Sequence, residues 1–327
     1  MKPVKWGIIG AAEIFKKVVR GMQKSTAMKI QGLASRNREK AGNFAQKYGI
    51  PTWYGTYEEL LKDPEVEAVY IPLPNHLHGE WIKKSADAGK HILCEKPLCM
   101  DASEARQCID YAHKRGVLIM EAFMYRFHPQ WKKVAELLRV DEIGAIQSVN
   151  TVFGYYNVDP ANIRNKLETG GGALRDIGCY AVSTARYILN REPDKVLSLL
   201  RRDQCFKTDI LTAGILDFGN AHTVFTVATQ TYPCQRVDIH GTSGTISIDI
   251  PFNVFPDIPA VVRVRNALKP REIHIDPADQ YGEEFEAFSL AIRHGLKEPT
   301  SPEDAVQNQK VLDALFASEK SGCWEKV

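Results

Sequence analysis

No apolar run in this 327-residue chain approaches the roughly 18 residues that a membrane-crossing helix requires, so no membrane partner is expected. Charge of one sign is also missing. Its 42 basic and 40 acidic residues leave a net charge of +2, which gives no basic field for nucleic acid. The seven cysteines are odd in number and scattered, with no C-x-x-C pair and no histidines at zinc-finger spacing. Such usage reads as seven buried thiols, with neither disulfides nor a metal framework. The pair His76-Leu77-His78 signals no third ligand, so no metal is expected. Repeats, low-complexity tracts and long linkers are absent as well. The amino terminus enters a strand-like run within a few residues, which leaves no room for a secretory leader and points to the cytoplasm.

What is present is an ordinary globular composition, 44% hydrophobic and 25% charged. Its length suits about two domains of roughly 150 residues each. Up to residue 120, apolar runs at 4–9, 29–34, 68–71, 92–94 and 117–120 alternate with helical patterns. That alternation predicts βαβ units and a parallel, doubly wound Rossmann sheet. Thr56 with Glu59, and Asp101 with Glu104, resemble capping boxes that open helices. After residue 121 the pattern changes to β-rich runs near 146–153, 196–201, 211–217, 222–230, 235–240, 245–250, 261–265 and 272–275. With no long helix between 190 and 280, this predicts an α+β domain with a large, mostly antiparallel open sheet. Two helices close the chain. The expected division is a dinucleotide-binding domain at 1–120 and a substrate-binding and oligomerisation domain at 121–327.

Two deviations from the usual dinucleotide signature are informative. After the first run, Gly10-Ala11-Ala12-Glu13-Ile14-Phe15 keeps one of the three glycines of G-x-G-x-x-G. Gly10 permits the tight turn, and the small Ala12 lets backbone approach a pyrophosphate at a helix start. An ordinary strand–helix turn would read the same way. After the second run, the acid that binds an NAD ribose is missing. Ser35-Arg36-Asn37-Arg38 stands there, with no acid until Glu39. A guanidinium at Arg36, with Ser35 and Asn37, suits a 2′-phosphate and favours NADP(H) over NAD(H). Alternatively, Arg36 and Arg38 are solvated residues at a helix start.

Glu95-Lys96-Pro97 follows the apolar run at 92–94. Pro97 disfavours helical dihedrals at Lys96, which places the lysine extended at a strand's carboxyl end, where open α/β sheets bind ligands. Further on, Gly170-Gly171-Gly172 leads into Leu174, Ile177, Ala181, Ala185 and Ile188 at helical spacing. Asp176 and Tyr180, four apart, would share one helix face. A phenol is about three pKa units too weak an acid to ionise freely at neutral pH. A nearby ammonium would stabilise its phenolate. The plainer alternative is a core tyrosine and a surface acid.

These blocks, with Pro74-Asn75-His76-Leu77-His78 and Glu121-Ala122-Phe123-Met124-Tyr125-Arg126-Phe127-His128-Pro129, resemble the glucose-fructose oxidoreductase/inositol dehydrogenase (Gfo/Idh/MocA) family over essentially the whole chain. The ending at Tyr180 is similar to the sugar-oxidoreductase and dihydrodiol dehydrogenase branches. The resemblance implies an NADP(H)-dependent oxidoreductase acting on a sugar or cyclic polyol. It makes Lys96 the catalytic lysine beside the nicotinamide, its bond to Pro97 often cis. Tyr180 and Asp176 complete the catalytic set. Gly10, Ala12, Glu13, Ile14, Ser35, Arg36, Asn37, Leu73, Pro74, Asn75, His78, Glu95, Lys96 and Arg126 become cofactor-groove residues. A homodimer or homotetramer through the second sheet is implied too. The alternatives are a trans-dihydrodiol dehydrogenase-type enzyme and a non-catalytic NADP(H)-binding sensor.

Overall fold

The computed structural model describes residues 2–267 and 269–327. They divide into two compact units, residues 1–124 with 280–306, and residues 125–279 with 307–327. The expected boundary at 120/121 therefore cuts a strand, and the expected second domain loses a helix to the first unit.

The first unit alternates β1 (Val4–Ile9), α1 (Phe15–Lys24), β2 (Met28–Ala34), α2 (Arg38–Tyr48), β3 (Thr52–Tyr54), α3 (Tyr57–Leu61), β4 (Ala68–Ile71), α4 (His78–Asp87), β5 (His91–Glu95), α5 (Ala102–Lys114) and β6 (Ile119–Ala122). The six strands are parallel in the order β3-β2-β1-β4-β5-β6. Strand order reverses between β1 and β4, the crevice where doubly wound sheets bind ligands. Both expected caps are made: Thr56 accepts from the Glu59 amide and Asp101 from the Glu104 amide.

In the second unit, α6 (Pro129–Arg139), β7 (Ile146–Tyr156), α7 (Cys179–Leu189), β8 (Lys195–Arg202), β9 (Asp209–Asp217), β10 (His222–Ala228), β11 (Gln230–Gly241), β12 (Gly244–Ile248), β13 (Ala260–Asn266) and β14 (Arg271–Ile275) follow in turn. A short β15 (Glu325–Lys326) extends one edge, giving the order β14-β13-β12-β11-β7-β10-β9-β8-β15. Pairing is antiparallel apart from β7 with β10, which run parallel. The short strands β3 and β15 are too brief to leave a periodic signal in sequence.

Between β14 and β15 lie α8 (Gln280–His294) and α9 (Pro302–Ser321). Helix α8 belongs to the first unit because its aromatic stripe packs there. Phe285 lies 4.8 Å from the Trp6 ring and 5.1 Å from Tyr70, and the Trp6 indole donates to Ser289 Oγ at 3.0 Å. Gly282 makes the crossing with α1 close, since a Cβ there would stand 3.0 Å from Gly21 Cα.

Cysteine usage departs from expectation in part. Cys94, Cys99, Cys108 and Cys179 are buried free thiols, whereas the free Cys205, Cys234 and Cys323 are exposed. No group of three metal-ligating side chains occurs among the described residues. No helix among them is long and apolar enough to cross a membrane.

Candidate active site

At the carboxyl edge of β1, Gly10 takes φ +120°, a conformation open to glycine. A Cβ there would also press to 3.0 Å from Leu73 Cδ2. Its amide donates to the Ala34 carbonyl at the end of β2. The chain then coils through Ala12–Ile14 into α1, whose first residue is Phe15. Phe15 is buried against Phe44 and Tyr48 and so takes the place of the missing third glycine as a packing residue. The amides of Ala12, Glu13 and Ile14 have no acceptor among the described residues, which is the donor set a pyrophosphate needs at a helix start. The Glu13 carboxylate points to solvent and pairs with Lys16.

At the end of β2, Ser35 is buried and its Oγ accepts from the Asn37 amide at 3.3 Å. Asn37 caps α2, its Oδ1 accepting from the Lys40 amide at 2.9 Å. That oxygen is therefore engaged in the fold, and an anion would be met by the amide end of Asn37. Arg36 is exposed, and its positive charge opposes the rise that burial gives the Tyr57 phenol's pKa. A residue pair that can grip a phosphate thus stands where an NAD site would hold an acid.

After β4, Leu73 is buried and Pro74 and Asn75 are half-buried, with Asn75 opening a short 3₁₀ turn before α4. His78 departs from its expected groove-lining role. It is fully buried, with Nε2 at 2.8 Å from the Leu73 carbonyl and Nδ1 at 3.0 Å from the Pro97 carbonyl. Burial lowers its pKa, and the facing carbonyls push back. His78 therefore acts on the groove through backbone, tying the loop after β4 to the segment after β5.

That segment carries Lys96, half-buried, with a cis bond to Pro97. Glu95 closes β5 and is held on both oxygens. Tyr70 donates to Oε1 at 2.6 Å and the Lys96 amide to Oε2 at 3.3 Å. Beyond Pro97, the Leu98 amide donates to the buried Glu121 of β6 at 2.7 Å. Three strands of one sheet therefore hold the backbone on either side of Lys96.

In the second unit, residues Leu174–Gly178 wind as a π-helical turn that runs into α7. The expected α-helical face shared by Asp176 and Tyr180 is thereby rewound. Asp176 Oδ2 accepts from the Tyr155 hydroxyl at 2.6 Å and from Arg164 Nε at 2.9 Å. Burial, and then the Asp176 charge, push the Tyr155 pKa well up. Tyr180, 5% exposed, enters an aromatic group with Tyr125, Phe153 and Phe252 at ring distances of 5.9, 5.7 and 5.1 Å. Arg126, expected at the cofactor or substrate, reaches Ser183 Oγ at 2.7 Å and lies over the Tyr187 ring, so in this unit it braces α7. His128 caps α6, and burial pushes its pKa down to about 4. Tyr155, Arg164 and Ser183 went unread in the sequence because their roles depend on contacts many residues away.

Residues 4–123 match the profile of an oxidoreductase family with an NAD-binding Rossmann fold, Gfo/Idh/MocA. Residues 131–247 match the Gfo/Idh/MocA C-terminal domain. An uncharacterized oxidoreductase, ORF334 of Rhizobium meliloti, is 40% identical over 334 residues, the whole of both chains. A D-xylose 1-dehydrogenase (NADP(+)) of Haloferax volcanii is 37% identical over 319 residues, 97% of this chain and 98% of its own. Among solved structures, KijD10, a 3-ketoreductase from Actinomadura kijaniata in complex with NADP and TDP-benzene, superposes with a TM-score of 0.92. Its identity is 28%, over 97% of this chain and 98% of that one.

Proposed function

The chain belongs to the Gfo/Idh/MocA oxidoreductase family, with its NAD-binding Rossmann fold, and from that premise we propose that it transfers hydride between NADP(H) and a carbinol or carbonyl carbon of a sugar. The observation that carries the reading is Lys96, held by three strands at the sheet edge that also presents the Gly10 turn and Arg36. The NADP-dependent sugar dehydrogenase among its relatives supports the same reading.

In this reading the amides of Ala12–Ile14 receive the pyrophosphate, while Ser35, Arg36 and the Asn37 amide meet the 2′-phosphate. The bound nicotinamide supplies or accepts the hydride, and the protein positions and polarises. Lys96 polarises the substrate oxygen. Tyr180 exchanges the proton with that oxygen as general acid or base. Asp176 hydrogen-bonds a neighbouring substrate hydroxyl, its own orientation set by Tyr155 and Arg164.

A panel of aldoses, keto-sugars and cyclic trans-diols, followed by reduced-nicotinamide absorbance with both cofactors, tests the proposal. Turnover with a sugar and NADP(H) is expected. Turnover with trans-diols alone would move the protein to a dihydrodiol dehydrogenase activity. No turnover with any of them would make it a cofactor-binding sensor.

A further inference from the structure

Two donors converge on one oxygen of Asp176 from either side of a single loop. Tyr155 stands near the carboxyl end of β7 and is half-buried, whereas Tyr156 beside it is exposed, as alternation along a strand requires. The Tyr155 hydroxyl donates to Asp176 Oδ2 at 2.6 Å. After β7 the chain returns through a 3₁₀ turn, Ile163–Asn165, from which Arg164 Nε donates to the same oxygen at 2.9 Å. Polar bonds fix the course of this loop. Asn165 is buried, and its Nδ2 donates to Asn157 Oδ1 at 3.1 Å and to the Asp159 carbonyl at 2.9 Å. The Arg164 carbonyl accepts from the Gly172 amide at 2.9 Å, and a Cβ on Gly171 would stand 2.4 Å from that carbonyl oxygen. The glycine run thus lets Arg164 approach the π-helical turn that carries Asp176.

A carboxylate accepts hydrogen bonds and has none to give. One whose oxygen takes both a phenol and a guanidinium is also held in direction, because charge-assisted bonds are short and strong. Burial first, and then the Asp176 charge, keep the Tyr155 phenol protonated, so it donates towards Asp176 at neutral pH. A substrate group that meets Asp176 must therefore be a donor. A sugar carbon without a hydroxyl would desolvate the carboxylate and return nothing, which is how a polar site rejects a deoxy analogue. We propose that Tyr155 is a positioning residue for substrate choice, fixing Asp176 together with Arg164 so that the site demands a hydroxyl on the carbon next to the reacting one. This rests on the reading above, in which Asp176 meets a substrate hydroxyl, and adds the residue that enforces it.

Tyr155→Phe keeps the ring and removes the oxygen alone. The wild type, Tyr155→Phe, Arg164→Gln, Asp176→Asn and the Tyr155→Phe/Asp176→Asn double variant are compared by kcat/KM with NADP(H). The substrates are D-glucose, D-xylose and their 2-deoxy analogues. Rates are referred to the concentration of NADPH-binding sites, so that any unfolded fraction drops out. The wild type is expected to prefer the 2-hydroxy sugars by about a hundredfold or more. Tyr155→Phe should lose about tenfold on those sugars, as expected for one hydrogen bond to a charged group, and stay within about threefold on the 2-deoxy sugars. Arg164→Gln, which removes the other donor to Oδ2, should show the same selective loss. In the Asp176→Asn background, Tyr155→Phe should not change the preference further, because Tyr155 acts through Asp176. An unchanged preference in Tyr155→Phe, or an equal loss on both kinds of sugar, overturns the role of Tyr155 and leaves the sugar oxidoreductase reading standing. A wild type that turns over both kinds equally overturns the hydroxyl requirement. A wild type that turns over neither overturns the sugar reading as well.

Discussion

Glu284 is enclosed by the first unit at 1% exposure, and its Oε1 has no hydrogen-bond partner among the described residues. Burial first, and then the Glu95 carboxylate, raise its pKa well above 4.5, because a dry site disfavours the charged form and a like charge adds to that. The sign of the linkage follows. The unfolded chain releases this proton near pH 4.5, while the folded chain retains it. Stability from this group is therefore full below that pH and is lost as pH rises towards the folded value. Glu284→Gln should flatten that decline, so that chemical denaturation at pH 8 finds the variant at least as stable as the wild type. A variant that loses stability equally at pH 4.5 and pH 8 would show that Glu284 is ionised in the fold. The reacting residues make their own demand at this scale. Lys96→Met and Tyr180→Phe should each lower turnover at least a hundredfold while NADP(H) still binds. Tyr180→Phe keeps its ring contacts with Tyr125, Phe153 and Phe252, so lost turnover would report the hydroxyl. Near-normal rates in both variants would remove them from the chemistry.

Among the elements, the turn into α7 is the one most constrained by glycine. Gly172 takes φ +118°, and a Cβ would stand 2.0 Å from Asp209 Oδ1. Asp209 in turn accepts from the Leu174 amide at 2.6 Å and from Thr212 Oγ1 at 3.0 Å, which anchors the turn to β9. Gly172→Ala should therefore cost about 2–4 kcal/mol in urea unfolding, since both the backbone and the carboxylate must shift. Stability equal to the wild type would mean that the turn relaxes freely. The three glycines were legible as a turn, and the apolar stripe after them as a helix. The π-helical winding was not, because it depends on Asp209, Tyr155 and Arg164 reaching the turn from distant strands and loops. The turn after β1 follows the same logic. Gly10 announced itself, whereas the packing role of Phe15 needed Phe44 and Tyr48 beside it.

Across the whole molecule, the second sheet presents one face that its own helices do not cover. Leu199, Ala213, Thr226 and Val152 pair across β8, β9, β10 and β7, so they form one row on that face. Val224, two residues from Thr226, extends it. Leu199 is 76% exposed, Val224 43% and Val152 42%. The adjoining strands continue the same face with charge, where Arg236 pairs with Asp238 and Asp249, and Arg263 with Asp249 and Glu272. An apolar patch rimmed by ion pairs is the pattern of a protein–protein surface. We propose that it joins copies of this chain as a homodimer or homotetramer. Light scattering should give the wild type an oligomeric mass and Leu199→Asp a smaller one. A monomeric wild type would sink the proposal.

The sequence by itself determined the parallel and antiparallel halves, the glycine turns, the helix caps and the family. Each of these is written in local periodicity, dihedral preference or ordered blocks of residues. The tertiary structure alone decided that α8 joins the first unit, that His78 ties two loops from within the core, and that Phe15 packs against Phe44 and Tyr48. The physical reason is common to all three. Hydrogen bonds and ring packing between residues far apart in the chain depend on where strands and helices bring them, and no local pattern encodes that placement.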